Sequence, residues 1–182
     1  MIRTTVIKIK DSKVKTSLID YIYNYRHFEN MFIILLKNHK EDFNFLSDYS
    51  IMRAVIGDTE GGKLADDVKY IKNKYKNNQL LQDIIILSED LKLHNLSMII
   101  RRVKGDYKKF FTNIKKGVKT NIVRAKKLSL MNNYSIPLDT NSWSIKKKNQ
   151  IGLNLKSKMF YIHHYHNRLK NIIEDFKNIK SV

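Results

Sequence analysis

The apolar residues of this chain change their spacing at Gly117, and that change constrains the fold more than any other feature. From Ser17 to about His39, Leu18, Ile22, Tyr25, Phe28, Phe32, Leu35 and Leu36 recur three or four positions apart, the period that lines one face of an α-helix. Thr16 or Ser17 stands where a helix of that span needs an N-cap. Shorter helical patterns follow at 49–55, 64–75 and 79–91, and GDTEGGK at Gly57–Lys63 reads as a loop. A further long helix is predicted from Leu93 to Lys116, ended by Gly117 as a glycine C-cap.

Past Gly117 the segments Tyr134–Leu138, Ser142–Ile145, Ile151–Leu155 and Met159–His163 are short and partly alternating, with DTN and KKKNQ between them. They predict an antiparallel meander. Pro137, the single proline, puts the first of them at an edge or a bulge. Helical spacing returns over His166–Ile179. At the start of the chain, Ile7 and Ile9 alternate with Lys8 and Lys10, a strand whose nearest partners lie beyond Gly117. The expected class is therefore α+β, with a first strand in residues 1–11, a helical region in 12–118, and a basic strap plus strands in 119–182.

Charge is as unevenly placed as the apolar residues. Residues 1–91 carry 14 Lys and Arg against 13 Asp and Glu, whereas residues 92–182 carry 21 against 4. A one-signed field confined to half of a chain repels itself, so it points to a polyanionic partner, with nucleic acid ahead of an anionic membrane surface. No apolar run is long enough to span a bilayer, since MFIILL at Met31–Leu36 is bounded by Glu29 and Lys37. The chain has no cysteine, which excludes disulfides, a thiol nucleophile and thiolate metal sites within it and fits a cytoplasmic location.

The densest basic stretch is Asp106–Lys127, where Tyr107, Phe110 and Phe111 stand among eight Lys and Arg. On a helical wheel Ile100, Val103, Phe110, Phe111 and Ile114 fall within roughly 60° of Tyr107. The three aromatics are expected to be core, and the basic shell is the expected nucleic-acid face. That face comprises Arg101, Lys104, Lys108, Lys109, Lys115 and Lys116, with Arg102 also on the outer side, and continues through Lys119, Arg124, Lys126 and Lys127 in the strap. Lys146, Lys147 and Lys148 form a hairpin tip that either meets phosphate or is a charged turn.

Catalytic constellations are sparse. The acids of the second half are Asp106, Asp139, Glu174 and Asp175, too scattered for a two-metal carboxylate site. GDTEGGK lacks the spacing of a P-loop. His164 and His166 would share one face of a strand and could hold zinc with a third ligand, but without Cys or a nearby acid the tract reads better as a strand end beside nucleic acid. No metal or other cofactor is expected, and no catalytic residue.

The start MIRTTVIKIK, the YNYRHFEN pattern, and NLSMIIRRVKGDYKKFF followed by a KKG-containing strap resemble the N-terminal portion of TnpB. TnpB is the RNA-guided nuclease family of bacterial insertion sequences, related to miniature type V CRISPR effectors. The resemblance spans essentially the whole chain at low identity, and the strap departs from the family's Pro-x-Phe-Lys pattern with NIVRAKK. It implies a helical recognition bundle inserted into an incomplete oligonucleotide-binding-like wedge barrel. It also implies guide RNA and double-stranded target DNA as partners, and a prokaryotic, phage or mobile-element source. His94, Ser97, Thr140 and Asn141 match positions the family uses near the short DNA motif flanking the target. The RuvC-like catalytic domain should follow these elements, and the chain ends at Val182; the expectation is a binding module without catalysis. A free-standing basic DNA-binding regulator is one alternative. A scaffold that docks a separate RuvC-like domain or a second copy of itself is the other.

Overall fold

The computed structural model describes residues 12–43, 46–56, 66–126, 143–147, 150–154 and 159–163. Among them are six helices and three strands: α1 (Ser12–Asn38), α2 (Lys40–Phe43), α3 (Asp48–Val55), α4 (Asp66–Lys74), α5 (Gln79–Glu89), α6 (Leu93–Lys115), β1 (Trp143–Lys147), β2 (Gln150–Asn154) and β3 (Met159–His163). The class is α+β, mostly helical with a small antiparallel sheet. The chain divides into two compact units, residues 22–137 and residues 1–21 with 138–182. The basic strap thus groups with the helices, whereas the sequence assigned it to the strand-rich region. None of the described helices is long and apolar enough to cross a membrane.

The helical unit is built on α1. Its periodic residues Tyr25, Phe28, Phe32 and Leu35 are fully buried, and they share the core with Ile51 of α3, Ile84 of α5, and Leu96, Ile99, Ile100 and Val103 of α6. Each such side chain contributes about 1.5–3 kcal/mol on leaving water. Two polar ties hold α6 along α1. The Tyr25 hydroxyl accepts from the Lys92 N–H at 3.0 Å and from Asn95 Nδ2 at 3.2 Å, which secures an N-terminus that has no side-chain cap. Further along, the Tyr107 hydroxyl donates to the Ile33 carbonyl at 3.3 Å, and burial raises its pKa above the ordinary tyrosine value.

Local chemistry sets most helix ends. Ser47 caps α3 by accepting the Ser50 N–H at 2.9 Å, and Asn78 caps α5 by accepting the Leu81 N–H at 3.0 Å. Gly117, at φ 69°, ends α6 as predicted: its N–H bonds the Ile114 carbonyl and the Val118 N–H bonds the Asn113 carbonyl, both at 2.9 Å. That pair of bonds is a Schellman motif, which needs a left-handed residue where glycine carries no steric penalty. Two features differ from the sequence reading. Helix α1 starts at Ser12, five residues before Ser17, because SKVKT carries no apolar period to reveal a helix that backbone bonds propagate. The single turn α2 was not foreseen; it buries Phe43 and aims Asp42 at α4.

Asp42 accepts from Lys74 Nζ at 2.8 and 2.9 Å and from the Tyr75 hydroxyl. Those donors, Lys74 first, hold its carboxyl below the ordinary aspartate range. Lys74 is raised in turn by the same bond. Burial, and then the bond to Asp42, push the Tyr75 hydroxyl up to about 12. The His39 ring lies 4.6 Å from that of Tyr75, closing a polar staple between α2 and α4.

The sheet has the order β1-β2-β3, with Trp143 opposite Leu153 and Leu153 opposite Phe160. Three of the four strands of the predicted meander are present, each to within two residues at its ends. A register shift between Ile145 and Lys147 breaks the regular pairing at the end of β1. The predicted strand at residues 4–10, the segment Tyr134–Leu138, the helix over His166–Ile179, and His164 and His166 lie outside the described residues.

Candidate nucleic-acid interface

Residues 93–126, α6 and the strap after it, contain ten Lys and Arg and one acid, Asp106. Tertiary contacts sort these ten into two groups. In the first half of α6 the cations are engaged. Lys104 Nζ lies 2.8 Å from Asp48 Oδ1 and donates to the Leu46 carbonyl at 2.8 Å, while Arg101 Nε reaches Asp48 Oδ2 at 3.6 Å. Ser47 makes this possible, because the cap fixes the first turn of α3 and so fixes Asp48. Arg102 Nη2 lies 2.9 Å from Glu29 Oε1, and Arg26 Nη1 lies 3.4 Å from Glu29 Oε2. Glu29 is 9% exposed at its side chain, so this Arg–Glu–Arg group is an internal tie between α1 and α6.

Two sequence expectations change here. Arg102 is not freely on the outer side: its side chain is 33% exposed and its guanidinium pairs with Glu29 of α1, a partner that a helical wheel does not show. Lys104, expected among the binding residues, is part-buried and held by Asp48 and the Leu46 carbonyl.

The second group is the larger. Lys108, Lys109, Lys115, Lys116, Lys119, Arg124 and Lys126 are all exposed, and none makes an ion pair among the described residues. The strap is held on a defined path. Asn30 Nδ2 donates to the Lys126 carbonyl at 2.7 Å while Asn30 Oδ1 accepts the Lys126 N–H at 2.9 Å, a two-bond rung like that of a β-ladder. The backbone at Lys126 is thereby tied to α1 while its ammonium faces outward.

Two clefts open on this surface. The larger, about 710 Å³, runs along α6 from Asp48 and Arg101 past Lys108 and Phe111 to Lys115. The smaller, about 390 Å³, lies among α1, α6 and the strap, with Phe110, Lys109 and Arg124 on its walls. The aromatic seam therefore divides. Tyr107 is core, but Phe110 and Phe111 are only half-buried, meet edge to face at 5.1 Å and 68°, and open into different clefts. Ile114, expected in the same stripe, is 52% exposed. The stripe thus loses much of its cover toward the C-terminal end of α6.

Among the remaining candidates, His94 is exposed on the first turn of α6, and Ser97 donates its hydroxyl to the His94 carbonyl at 2.7 Å, leaving oxygen lone pairs to present. Lys146 and Lys147 are the last two residues of β1. Lys127, Lys148, Thr140 and Asn141 lie outside the described residues. Sequence reasoning missed Lys40, whose Nζ sits 4.1 Å above the Phe111 ring. It also missed Asp48, Glu29 and Asn30. Only the Arg26–Glu29 pair had a sequence trace, the three-residue spacing that makes helical neighbours. No protein-family model, curated protein or solved structure matches the chain.

Proposed function

We propose that this protein binds nucleic acid through the exposed cations of α6 and the strap, as the recognition and wedge part of a TnpB-like RNA-guided system that targets DNA. The observation that carries the reading is the row of seven exposed Lys and Arg from Lys108 to Lys126 without carboxylate partners among the described residues. A folded protein usually intersperses charges of both signs, and a run of one sign is neutralised most effectively by a phosphate backbone, with counterion release supplying the free energy. Cations on a helix and a tied strap follow a backbone by shape and charge, which suits guide RNA or its heteroduplex with target DNA. On this reading the three-stranded sheet belongs to an oligonucleotide-binding-like wedge barrel completed by the predicted first strand. His94 and Ser97, with Thr140 and Asn141, would lie near the target-flanking DNA. The reading assigns no catalytic step to these residues.

The test is a salt titration of binding to structured RNA and to duplex DNA, with Lys108, Lys115 and Lys116 changed together to Gln. Loss of up to three phosphate contacts should weaken RNA binding about tenfold or more and lower the salt slope by about 2. Unfolding stability should fall by no more than about 1 kcal/mol, since Lys115 and Lys116 also face the negative end of the α6 dipole. Unchanged RNA affinity overturns the placement of the interface. Tight, specific binding to duplex DNA by protein free of RNA overturns the guided reading in favour of a DNA-binding regulator.

A further inference from the structure

We propose that the larger cleft on α6 seats an unpaired RNA base, stacked on Phe111 with its flanking phosphates on Lys108 and Lys115. This rests on the nucleic-acid reading above and adds what that surface holds: a single-stranded nucleotide rather than a duplex backbone alone. The cleft, about 710 Å³, falls in the size range of sites for small organic groups, about 300–1,000 Å³.

Three observations converge on it. Phe111 is half-buried, so its position is fixed while the ring lines the cleft, and the Lys40 ammonium 4.1 Å from the ring centroid, outside the cleft lining, shows that this ring already takes a π contact. A base stacked on the part of the ring that lines the cleft offers a larger π surface than one ammonium. Lys108 and Lys115 stand three residues before and four after Phe111, which sets them on its side of the helix, roughly 10 Å apart along the axis. Gly105 is the third observation. Glycine is a poor residue for a helix interior, yet a Cβ built there meets no atom within 4 Å. Packing does not require glycine at that position; the space in front of it is the cleft, whose lining includes Gly105.

Asp48 makes the occupant RNA. As the acid lining the cleft, it repels phosphate, but its oxygens keep lone pairs beyond the bonds from Lys104 and Arg101 and can accept a ribose 2′-hydroxyl, which DNA lacks.

The experiment compares full-length wild type, Phe111→Leu and Gly105→Leu in fluorescence anisotropy with labelled oligoadenylate of about 12 nucleotides, its DNA counterpart and an RNA duplex. A 2-aminopurine within the single strand reports stacking directly. Phe111→Leu should weaken single-stranded RNA about tenfold, abolish 2-aminopurine quenching and leave duplex affinity unchanged. Gly105→Leu should obstruct the cleft beside Phe111 and weaken the same RNA as strongly while raising Tm, because leucine is the better helix former; this variant keeps the test intact if Phe111→Leu is unstable. Single-stranded RNA binding at wild-type strength by both variants overturns the proposal, as does an equal loss for duplex and single strand. Equal affinity for DNA and RNA overturns the role of Asp48 and the choice of RNA. If wild type binds no nucleic acid at all, the proposed function itself fails. If the Lys108/Lys115/Lys116 variant weakens binding while Phe111→Leu and Gly105→Leu do not, only this inference fails.

Discussion

The two ends of α6 have similar composition and opposite circumstances. Over Leu93–Tyr107 the apolar face is buried to Val103 and Tyr107, and Arg101, Arg102 and Lys104 all reach carboxylates of other helices. From Lys108 onward the apolar face emerges, with Phe110 and Phe111 half-buried and Ile114 exposed, and the cations have no such partners among the described residues. The basic residues of α6 and the strap thus form two populations: Arg102 and Lys104 are held by carboxylates of other helices, with Arg101 in a looser, exposed pair, and those from Lys108 onward are exposed without such partners among the described residues. Net charge does not distinguish them; the reach of the neighbouring helices does.

The strongest test of that division uses one apolar stripe. Ile100→Ala should destabilise the protein by about 3–4 kcal/mol, as truncation of a fully buried isoleucine leaves a cavity. Ile114→Ala, fourteen residues along the same helix, should change stability by less than about 0.5 kcal/mol. Urea unfolding of both variants measures the contrast, and similar costs at the two sites would erase it.

A somewhat smaller effect is expected at the internal charge group. Glu29→Gln leaves the guanidiniums of Arg26 and Arg102 without their shared carboxylate, and should cost about 2–3 kcal/mol, below the usual range for fully buried pairs because the Arg102 side chain is 33% exposed. RNA affinity should not change once the protein is folded. A stable Glu29→Gln protein with weakened RNA binding would group Arg102 with the exposed cations of the second half of α6.

The smallest effect concerns pH. Asp42 has a folded pKa below its unfolded value near 3.8, so the unfolded chain takes up this proton more readily. The contribution of Asp42 to stability is therefore complete above that value and lost as pH falls through the folded pKa. Asp42→Asn should lower Tm at about pH 6, and the gap to wild type should narrow on acidification to about pH 3. A gap independent of pH would show that the Lys74 and Tyr75 bonds do not depend on the charge of Asp42.

Legibility in the sequence followed the range of the interaction. The long helices, the glycine that ends α6, and the three described strands all rest on period, capping and turn chemistry, which act over a few residues. Helix α2 was missed because a single turn has no period. The start of α1 was placed late because SKVKT shows no buried face. At the candidate interface, Lys108, Lys109, Lys115, Lys116, Lys119, Arg124 and Lys126 were legible as exposed cations, since only Asp106 nearby in sequence opposes them. Lys104 and Arg102 were misplaced because their partners, Asp48 and Glu29, lie 56 and 73 residues away. Separation of that order leaves no mark on a helical wheel.

By itself, then, the sequence determined that the chain mixes α and β structure, that its second half carries almost all of its excess positive charge, and that α6 has an apolar side and a basic side. Those properties are local sums over neighbouring residues. The tertiary structure alone decided which lysines are held by carboxylates, that Asn30 ties the strap at Lys126, and that Tyr107 is core while Phe110 and Phe111 open into clefts. Each of those depends on where one helix ends against another, which is set by packing among segments far apart in the chain.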